Sequence, residues 1–311
     1  MNRNILMRYI TGCLFIALFS CGNNNLLKEV KHLDYPSASG VEYLAHRFYI
    51  IGDDANNILV TDEQFKPVDS IPLYNYTERR IPKAVKADLE SIALMIDNRF
   101  LVTGSGSVSP SRNAAWLVNG LSKQKDSLRL DTFYTRLRAA GIKELNIEGL
   151  CRIPGSLLLV NRGSKGYPKN QLIFTNYEFW NKQATAGISI AKIGYSEDTS
   201  SFSGVSGAAY SGISDRLLLS VSTEDTRSAY EDGTIGKSYI WIINNFTAKR
   251  GWAAINPDKI IDLEKVDAKF KGHKIESVCI ENETIDMLYL VLAADNDNGS
   301  STLFRLVIEK T

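Results

Sequence analysis

A pattern that recurs five times along the chain constrains its fold more than any other feature of the sequence. Each copy begins with a serine or glutamate and continues with an apolar run, a tight turn, a second apolar run, a loop and further apolar runs. We call these first residues the anchors, and they are Ser39, Glu90, Glu148, Ser206 and Glu276. Successive anchors are 51, 58, 58 and 70 residues apart. Self-similarity at such an interval is typical of a structural unit that is repeated to build one domain.

The apolar runs predict β-strands, because they are rich in β-branched and aromatic residues and are bounded by Gly, Asn, Asp and Ser. Four such strands follow each of the first four anchors, whereas only three follow Glu276. The segment 27–33, near the start of the chain, can supply the missing fourth strand. We therefore predict an all-β protein, a single five-bladed β-propeller of four-stranded antiparallel blades, closed by an N-terminal strand.

Two features of the repeat bear on the details of this architecture. The 70-residue interval after Ser206 is long enough to contain a degenerate extra blade, so a six-bladed ring is the alternative. A short helix is predicted around 135–141, in a connection. Because the five copies match one another across their strands, we expect one domain over 27–311 instead of two.

The N-terminal segment 1–20 is typical of an export signal. It has a basic start, and its apolar part, 10–19, is shorter than the roughly 20 residues that a membrane-spanning helix needs. The sequence Leu18-Phe19-Ser20-Cys21 resembles the bacterial lipobox, and the polar stretch 21–26 then looks like a tether. The resemblance implies acylation of Cys21, which anchors the protein to a membrane. An ordinary signal peptide with a chance cysteine is the alternative.

The location and the partners follow from this segment and from the charge of the chain. The predicted location is the outer membrane of the cell envelope, in either leaflet, with the lipid anchor as the contact with the membrane. Removal of Arg3 and Arg8 with the signal leaves 34 of the 36 basic side chains against 35 acidic ones. A chain so close to neutral lacks the electrostatic pattern of a nucleic-acid binder, so no nucleic-acid partner is expected. We further expect a monomer.

Two cysteines remain beyond Cys21, and both stand three residues after an anchor. Cys151 follows Glu148 and Cys279 follows Glu276, in units that are not neighbours. A disulfide is therefore disfavoured, although an exported protein could form one. Two thiols are also too few for a thiolate metal site. We expect both cysteines to be buried and free.

The connections divide the predicted propeller into two unlike faces. Tight turns join the first and second strands of a blade, as at 97–98, 154–155 and 214–215. Long loops join the second and third strands, at 105–113, 162–170 and 223–237. These loops emerge on the side where the inner strands begin, which is also where the anchors lie. Because binding residues concentrate on loops held by a rigid scaffold, we predict the functional site on this side, the anchor face.

The anchors themselves predict a metal site. Three glutamates that converge on one axis would repel one another, and burial would raise their pKa values unless a cation or hydrogen-bond donors compensated. Ligands that offer only oxygen suit a hard cation, and Ca²⁺ tolerates irregular geometry. The predicted ligands of one axial Ca²⁺ are Ser39, Glu90, Glu148, Ser206 and Glu276. The alternative is that each glutamate accepts backbone N–H bonds from the neighbouring blade and holds the ring together.

The order Ser, Glu, Glu, Ser, Glu at the anchors resembles that of the calcium-activated nucleotidase (apyrase) family. That family is a five-bladed propeller with Ca²⁺ on its axis, and it hydrolyses nucleoside di- and triphosphates. Three short stretches are also similar to it: Gly52-Asp53-Asp54, Asn161-Arg162-Gly163-Ser164 and Ser222-Thr223-Glu224-Asp225. The strands of Glu90 and Glu276 lack the family's aromatic neighbours, and the intervening loops do not align. The chain is similar as well to uncharacterised propeller lipoproteins of Gram-negative bacteria, a resemblance that implies no function.

The nucleotidase resemblance implies a Ca²⁺-dependent phosphohydrolase that acts on nucleotides or related phosphoesters. A small phosphorylated ligand needs cations, since Arg suits bidentate contacts to phosphate and Lys offers a point charge. The predicted ligand-binding residues are Arg162, Lys165, Lys86 and Lys274, within a wider basic set that includes Arg79, Arg80 and Lys143. The predicted catalytic residues are Asp53, Asp54, Glu224 and Asp225, one of which would act as the base. The alternative function is a non-catalytic binding or scaffold propeller of the cell envelope, with a structural metal or none.

Overall fold

Residues 26–194, 202–224, 235–296 and 298–310 are described by the structure, a computed structural model of the chain. Their strands form five sheets arranged in a ring, so the protein is a five-bladed β-propeller, as predicted. The described ranges contain no sixth sheet. The predicted signal and Cys21 lie outside the described residues, as does the predicted tether up to residue 25.

The strands follow the chain from blade to blade, except that the first strand belongs to the last blade. This first strand is β1 (Leu26–Leu33). Blade 1 contains β2 (Ala38–Leu44), β3 (Arg47–Gly52), β4 (Asn57–Thr61) and β5 (Pro67–Pro72). Blade 2 contains β6 (Leu89–Leu94), β7 (Arg99–Gly104), β8 (Ala114–Asn119) and β9 (Lys125–Arg129). Blade 3 contains β10 (Ile147–Ile153), β11 (Ser156–Asn161), β12 (Asn170–Thr175) and β13 (Ser189–Ile193).

Blades 4 and 5 have the longest inner strands. Blade 4 begins with β14 (Ser203–Ser211), β15 (Arg216–Glu224) and β16 (Ile235–Asn244). A short strand, β17 (Ala254–Ile255), then precedes the fourth strand of this blade, β18 (Lys259–Asp262). Blade 5 contains β19 (Lys274–Glu283), β20 (Met287–Asp295) and β21 (Ser301–Glu309), and β1 completes it.

The helices of the described residues lie in connections. They are α1 (Asp131–Ala139), α2 (Leu263–Val266) and single 3₁₀ turns at Ser111–Asn113, Phe179–Lys182, Phe246–Lys249 and Ala268–Phe270. The helix predicted at 135–141 begins four residues earlier, because Phe133 and Leu137 bury one face of α1 and the carboxylate of Asp131 suits its first turn. In the ranges described here, no helix is long and apolar enough to span a membrane.

β1 closes the ring, as the sequence predicts. It pairs antiparallel with β21, from Leu26 opposite Val307 to Leu33 opposite Ser301. The pairing of the first strand with the last covers the edge that β21 would otherwise expose. The C-terminal blade therefore has its full four strands only because the N-terminal end of the described chain returns to it.

The 70-residue interval holds connections in place of a sixth blade. Its additional described residues form β17, α2 and the turn at Ala268–Phe270. β17 pairs in parallel with β13 of blade 3, with Ile255 opposite Ile193. Arg250, in the same connection, donates to the carbonyl oxygen of Pro154 and to Ser156 Oγ, both at 2.6 Å. The long connection of blade 4 thus binds blade 3 and covers its outer edge.

The hydrophobic core is divided into five layers, each between two neighbouring blades. Between blades 1 and 2, the rings of Tyr49 and Phe100 pack with centroids 4.5 Å apart. Between blades 5 and 1, Val41 packs in one cluster with Val291 and Cys279. Apolar burial contributes roughly 25 cal/mol per Å² to stability. The residues of each layer are buried only when its two neighbouring blades pack together. Hydrophobic burial therefore favours the closed ring over separate sheets.

The two cysteines of the described chain are free and buried, as predicted. Burial raises the pKa of both Cys151 and Cys279, and the nearby carboxylate of Glu42 raises these pKa values further. Both thiols therefore stay protonated and act as small apolar side chains of the core.

Candidate functional site

Every anchor stands in a β-bulge of its inner strand. In each blade, the pairing of the first strand with the second skips one residue, and these residues are Ser39, Glu90, Glu148, Ser206 and Glu276. A bulged residue is unpaired in the ladder, and the bulge changes the direction of its side chain. The inner strands lie beside one another around the ring. The five bulges therefore place the anchors together at the mouth of the central channel.

Three of the anchors are followed by glycine, because the inner strands approach closely at the bulges. A Cβ atom on Gly207 would lie 2.9 Å from the carbonyl oxygen of Glu276. A Cβ atom on Gly149 would lie 3.1 Å from the backbone nitrogen of Ala208. A larger residue at either position would push neighbouring blades apart, so the anchor–glycine pairs in the sequence mark contacts between inner strands.

The two serine anchors join neighbouring blades. Ser39 Oγ donates a hydrogen bond of 2.5 Å to the carbonyl oxygen of Leu89, and Ser206 Oγ donates one of 2.7 Å to that of Ile275. Each acceptor directly precedes the anchor of the next blade. The hydroxyl protons are therefore used in contacts between inner strands, while the oxygens keep lone pairs that can accept.

One arginine bridges the glutamate anchors of blades 3 and 5, and we call this set the arginine bridge. Arg162 Nη1 lies 3.3 Å from Glu148 Oε2 and 3.5 Å from Glu276 Oε2. Its Nη2 donates to Ser222 Oγ of blade 4 at 3.2 Å. Lys274 Nζ lies 2.8 Å from the other carboxylate oxygen of Glu276. Side-chain cations thus supply the positive charge that two buried carboxylates require.

The remaining glutamate anchor belongs to a second cluster, which we call the acidic group. One carboxylate oxygen from each of Asp53, Asp88 and Glu90 lies within 4.8 Å of the other two. Lys86 forms ion pairs with Asp53 and with Asp88, the latter at 2.9 Å. Arg112 Nη1 lies 2.6 Å from Asp88 Oδ2. Two cations therefore face three carboxylates where blades 1 and 2 meet.

The crowding of negative charge changes the pKa values of the acidic group. Burial raises the pKa of Glu90 well above its usual value, and repulsion by Asp88, Glu148 and Asp53 raises it further. Burial likewise raises the pKa of Asp53 to about 6, although the ammonium group of Lys86 acts in the opposite direction. An additional positive charge beside these carboxylates would relieve the repulsion and stabilise their charged forms.

A cavity of 530 Å³ opens beside the acidic group. Its polar walls are formed by Ser37, Asp53, Asp54, Arg80, Lys83, Lys86 and Asp295. Arg80 Nε lies 2.6 Å from Asp54 Oδ2. The Oδ1 atoms of Asp53 and Asp54 are buried and have no hydrogen-bond partner among the described residues. A cavity with buried acceptors and with basic side chains suits a small ligand that carries both a cation and an anionic group.

The structure brings most of the predicted site residues to the anchor face but divides them into two places. Asp53, Lys86 and Glu90 lie in the acidic group, and Asp54 lines the adjoining cavity. Glu148, Arg162, Lys274 and Glu276 lie in or beside the arginine bridge. Lys165 is exposed in the loop after β11, and Glu224 ends β15. Asp225 lies outside the described residues. The five-anchor ligand set stays a prediction.

The sequence predicts neither Asp88 of the acidic group nor Arg112, which pairs with Asp88. Asp88 had only one signal in the sequence, its acidic side chain two residues before the anchor Glu90. Its φ of 57° is a left-handed conformation that aspartate tolerates better than most residues. Arg112 had no such signal, since a loop and a 3₁₀ turn bring it to Asp88.

The fold and the site define a class of protein, a five-bladed β-propeller whose anchor face carries carboxylates paired with buried cations. Within this class, the chain belongs to DUF6929, a family of unknown function whose model matches residues 34–308. No curated protein matches the chain.

The solved structures to which the chain is similar are distant in sequence. The chain is similar to glutaminyl cyclase of Myxococcus xanthus with a TM-score of 0.53 and 11% identity, over 92% of this chain and 97% of that one. It is similar to virginiamycin B lyase of Staphylococcus aureus with a TM-score of 0.42 and 8% identity, over 91% and 99% of the two chains. At 11% identity, the likeness to the glutaminyl cyclase shows the fold alone. The nucleotidase resemblance stays a prediction.

Proposed function

We propose that the anchor face is a Ca²⁺-dependent site for a small phosphorylated ligand and that the protein is a phosphohydrolase of the cell envelope. The observation that carries this proposal is the acidic group, which brings one carboxylate oxygen from each of its three residues within 4.8 Å of one another beside a cavity of 530 Å³. Carboxylate oxygens are ligands that Ca²⁺ prefers. Arg80 and Lys83 line the same cavity and favour an anionic ligand.

The acidic group fits a divalent cation better than the five anchors do. Asp53 Oδ1 is buried without a hydrogen-bond partner in the described part of the chain. Such an oxygen can bind a cation without first losing a hydrogen bond. At the arginine bridge, Glu276 Oε2 is likewise buried without a hydrogen-bond partner in the described ranges. Arg162 lies between Glu148 and Glu276 as Lys86 lies between Asp53 and Asp88. Among the described residues, however, only the acidic group brings one oxygen from each of three carboxylates within 4.8 Å of one another. We therefore assign the cation to Asp53, Asp88 and Glu90, and the five-anchor set is the competing assignment.

The side chains around the cavity would bind the cation, orient the phosphate and accept a proton. Bound at the acidic group, Ca²⁺ would neutralise phosphate charge and lower the pKa of a bound water. Arg80, Lys83 and Lys86 would orient the phosphate through charge and hydrogen bonds. Asp54 Oδ1 lacks a partner among the residues described, so it can accept the proton of an attacking water.

Calorimetric titration with Ca²⁺, combined with phosphate release from nucleoside diphosphates, tests this proposal. Glu90→Gln removes one charged ligand and should weaken Ca²⁺ binding by about tenfold or more, equivalent to 1.4 kcal/mol. It should also abolish the Ca²⁺-dependent release of phosphate. Glu148→Gln should leave both properties close to those of the wild type. Asp126→Asn, at an exposed carboxylate of β9, is the matched control.

Two results would contradict the assignment in different ways. If Glu148→Gln loses Ca²⁺ binding and Glu90→Gln keeps it, the cation belongs to the five anchors. If the wild type binds no Ca²⁺ and releases no phosphate from a broad panel of phosphoesters, both the metal and the hydrolase proposals fail.

A non-catalytic binding propeller is the second candidate, and the ion pairs at the mouth favour it. Lys86, Arg112, Arg162 and Lys274 already compensate the buried carboxylates. Pairing of this kind can hold the mouth together without a metal. A melting temperature that is the same in Ca²⁺ and in chelator, with no turnover, is the result expected from this candidate.

A further inference from the structure

Three isoleucines stand at the tips of turns on the side of the ring opposite to the anchors. Ile96, Ile213 and Ile285 follow the inner strands of blades 2, 4 and 5 and are 55%, 74% and 90% exposed. Such turns favour Gly, Asn, Asp and Ser, whose backbone conformations or hydrogen bonds suit them. Single exposed apolar residues are common. An isoleucine at the same place in three blades is a repeated feature that the turns themselves do not require.

The other turns on this side, which we call the turn face, also expose apolar residues. Ala45 and Pro154 are exposed at the equivalent turns of blades 1 and 3. Leu121, between β8 and β9, is 56% exposed. Neighbouring tips are held together, since Ser214 Oγ donates to Glu283 Oε1 at 2.8 Å and joins the turns of blades 4 and 5. The turn face therefore presents apolar tips on rigid elements.

The first described strand begins on the turn face. β21 runs toward this face, and the antiparallel β1 runs away from it, so Leu26 lies opposite Val307 near the end of β21. Leu26 is itself 52% exposed. Cys21 stands only five residues before it.

The length of this short segment determines whether the lipid anchor can reach the turn face or the anchor face. Five residues of chain span at most about 17 Å, even when fully extended. The ten residues of β19 rise by about 33 Å between the anchor face and the turn face. An acylated Cys21 can therefore hold a bilayer against the turn face but cannot bring it to the anchor face.

We propose that the turn face rests on a phospholipid bilayer, with Ile96, Ile213 and Ile285 in the interfacial layer and the anchor face open to water. The inference rests on the lipobox prediction and is independent of the proposed hydrolase activity. An acylated cysteine fixes one point of the protein, whereas apolar side chains at several tips fix its orientation. The partner of the turn face is a lipid bilayer, because the short segment after Cys21 holds the bilayer beside this face.

Site-directed spin labelling of the acylated protein in vesicles of phosphatidylcholine and phosphatidylglycerol tests the proposal. Ile213→Cys carries the nitroxide on the turn face, and Val85→Cys is the matched control, since Val85 is 51% exposed in the loop before β6 on the anchor face. Cys151 and Cys279 are buried, which restricts labelling to the introduced thiols. On addition of vesicles, the label at 213 should lose accessibility to a water-soluble nickel reagent and gain accessibility to oxygen. The label at 85 should change in neither.

The mass of the mature protein separates the two ways in which the proposal can fail. If no acyl chain is present, the lipobox prediction is wrong and the membrane-facing orientation falls with it. If acyl chains are present but the label at 213 keeps its aqueous accessibility, or the label at 85 loses its own, the orientation alone is overturned.

Discussion

At the scale of single residues, charge compensation stabilises the mouth of the propeller, and Asp88 is a clear example. This buried carboxylate receives Lys86 at 2.9 Å, Arg112 at 2.6 Å and a hydrogen bond from Ser105 Oγ at 2.6 Å. Its two cationic partners are themselves buried. Charges in such surroundings stabilise the fold only while they remain paired, since water cannot replace the missing partner.

Asp88→Asn should therefore lower the free energy of unfolding by about 3 kcal/mol, because it removes the carboxylate that Lys86 and Arg112 share. Asparagine tolerates the left-handed backbone at this position, so the loss reports charge and not strain. Urea unfolding in the presence of a chelator measures it. Asp126→Asn should change the same quantity by less than about 0.5 kcal/mol. An equally small change for Asp88→Asn would show that the pairing contributes little.

Glu42 is a carboxyl group whose burial opposes its ionisation. In β2, its side chain accepts hydrogen bonds from the backbone N–H of Leu94 at 3.1 Å and of Tyr43 at 3.4 Å. These bonds lower its pKa only in part, and burial raises the pKa to about 7. The folded protein therefore holds this proton more tightly than the unfolded chain does. Its contribution to stability is fully present below about pH 4.5 and is lost as the pH rises through 7.

Glu42→Gln should remove the part of the pH dependence that Glu42 contributes. At pH 8, the variant should exceed the wild type by about 1 to 3 kcal/mol in unfolding free energy, since the amide needs no ionisation and its oxygen can still accept from Leu94. At pH 4.5, the two proteins should be equally stable. Thermal unfolding across this range makes the comparison, with Glu178→Gln at an exposed carboxylate as the control. A stability difference that is independent of pH would contradict the assigned pKa.

At the scale of elements, the bulged inner strand is the unit that builds the site. Each bulge interrupts the ladder at the anchor and turns one side chain toward the mouth, while the rest of the strand packs between blades. The repeat therefore predicts which residues reach the mouth. It does not predict their partners, because the loop that carries Arg162 reaches Glu276 two blades away.

The strands themselves could be predicted because apolar runs and turn residues alternate within every copy of the repeat. β17 could not, since two residues have no periodicity and their partner is a strand of another blade. The start of α1 could not be predicted either, because it depends on the burial of Phe133 against residues that are distant in the sequence. Short elements whose structure depends on distant packing escape a local reading of the sequence.

β1 offers a test of ring closure at this scale. Truncation through Leu33 should lower the free energy of unfolding by about 3 kcal/mol or more, because Leu27, Val30 and Leu33 leave the core clusters and a fully buried aliphatic side chain is worth roughly 1.5–3 kcal/mol. Truncation through residue 25, which keeps all of β1, is the control. Circular dichroism during heating compares the two. Equal melting temperatures would show that β1 does not stabilise the ring.

At the scale of the whole molecule, the ring separates two kinds of chemistry. Carboxylates and cations gather at the anchor face, where the inner strands begin. Exposed isoleucines mark the opposite face, where those strands end. The separation follows from topology, because strands that start on one side of a blade must turn on the other. A site and a contact surface can therefore change independently of each other in such a fold.

The pairing of β1 with β21 also determines when the ring can close during protein synthesis. His32 and Thr302, which meet across this pair, are 270 positions apart. β1 is synthesised long before β21 and stays unpaired until β21 is available, and contacts between such distant segments form slowly. Until β21 has been synthesised, blade 5 has an unpaired edge of the kind that promotes aggregation. Closure of the ring therefore requires that both β1 and β21 have been synthesised.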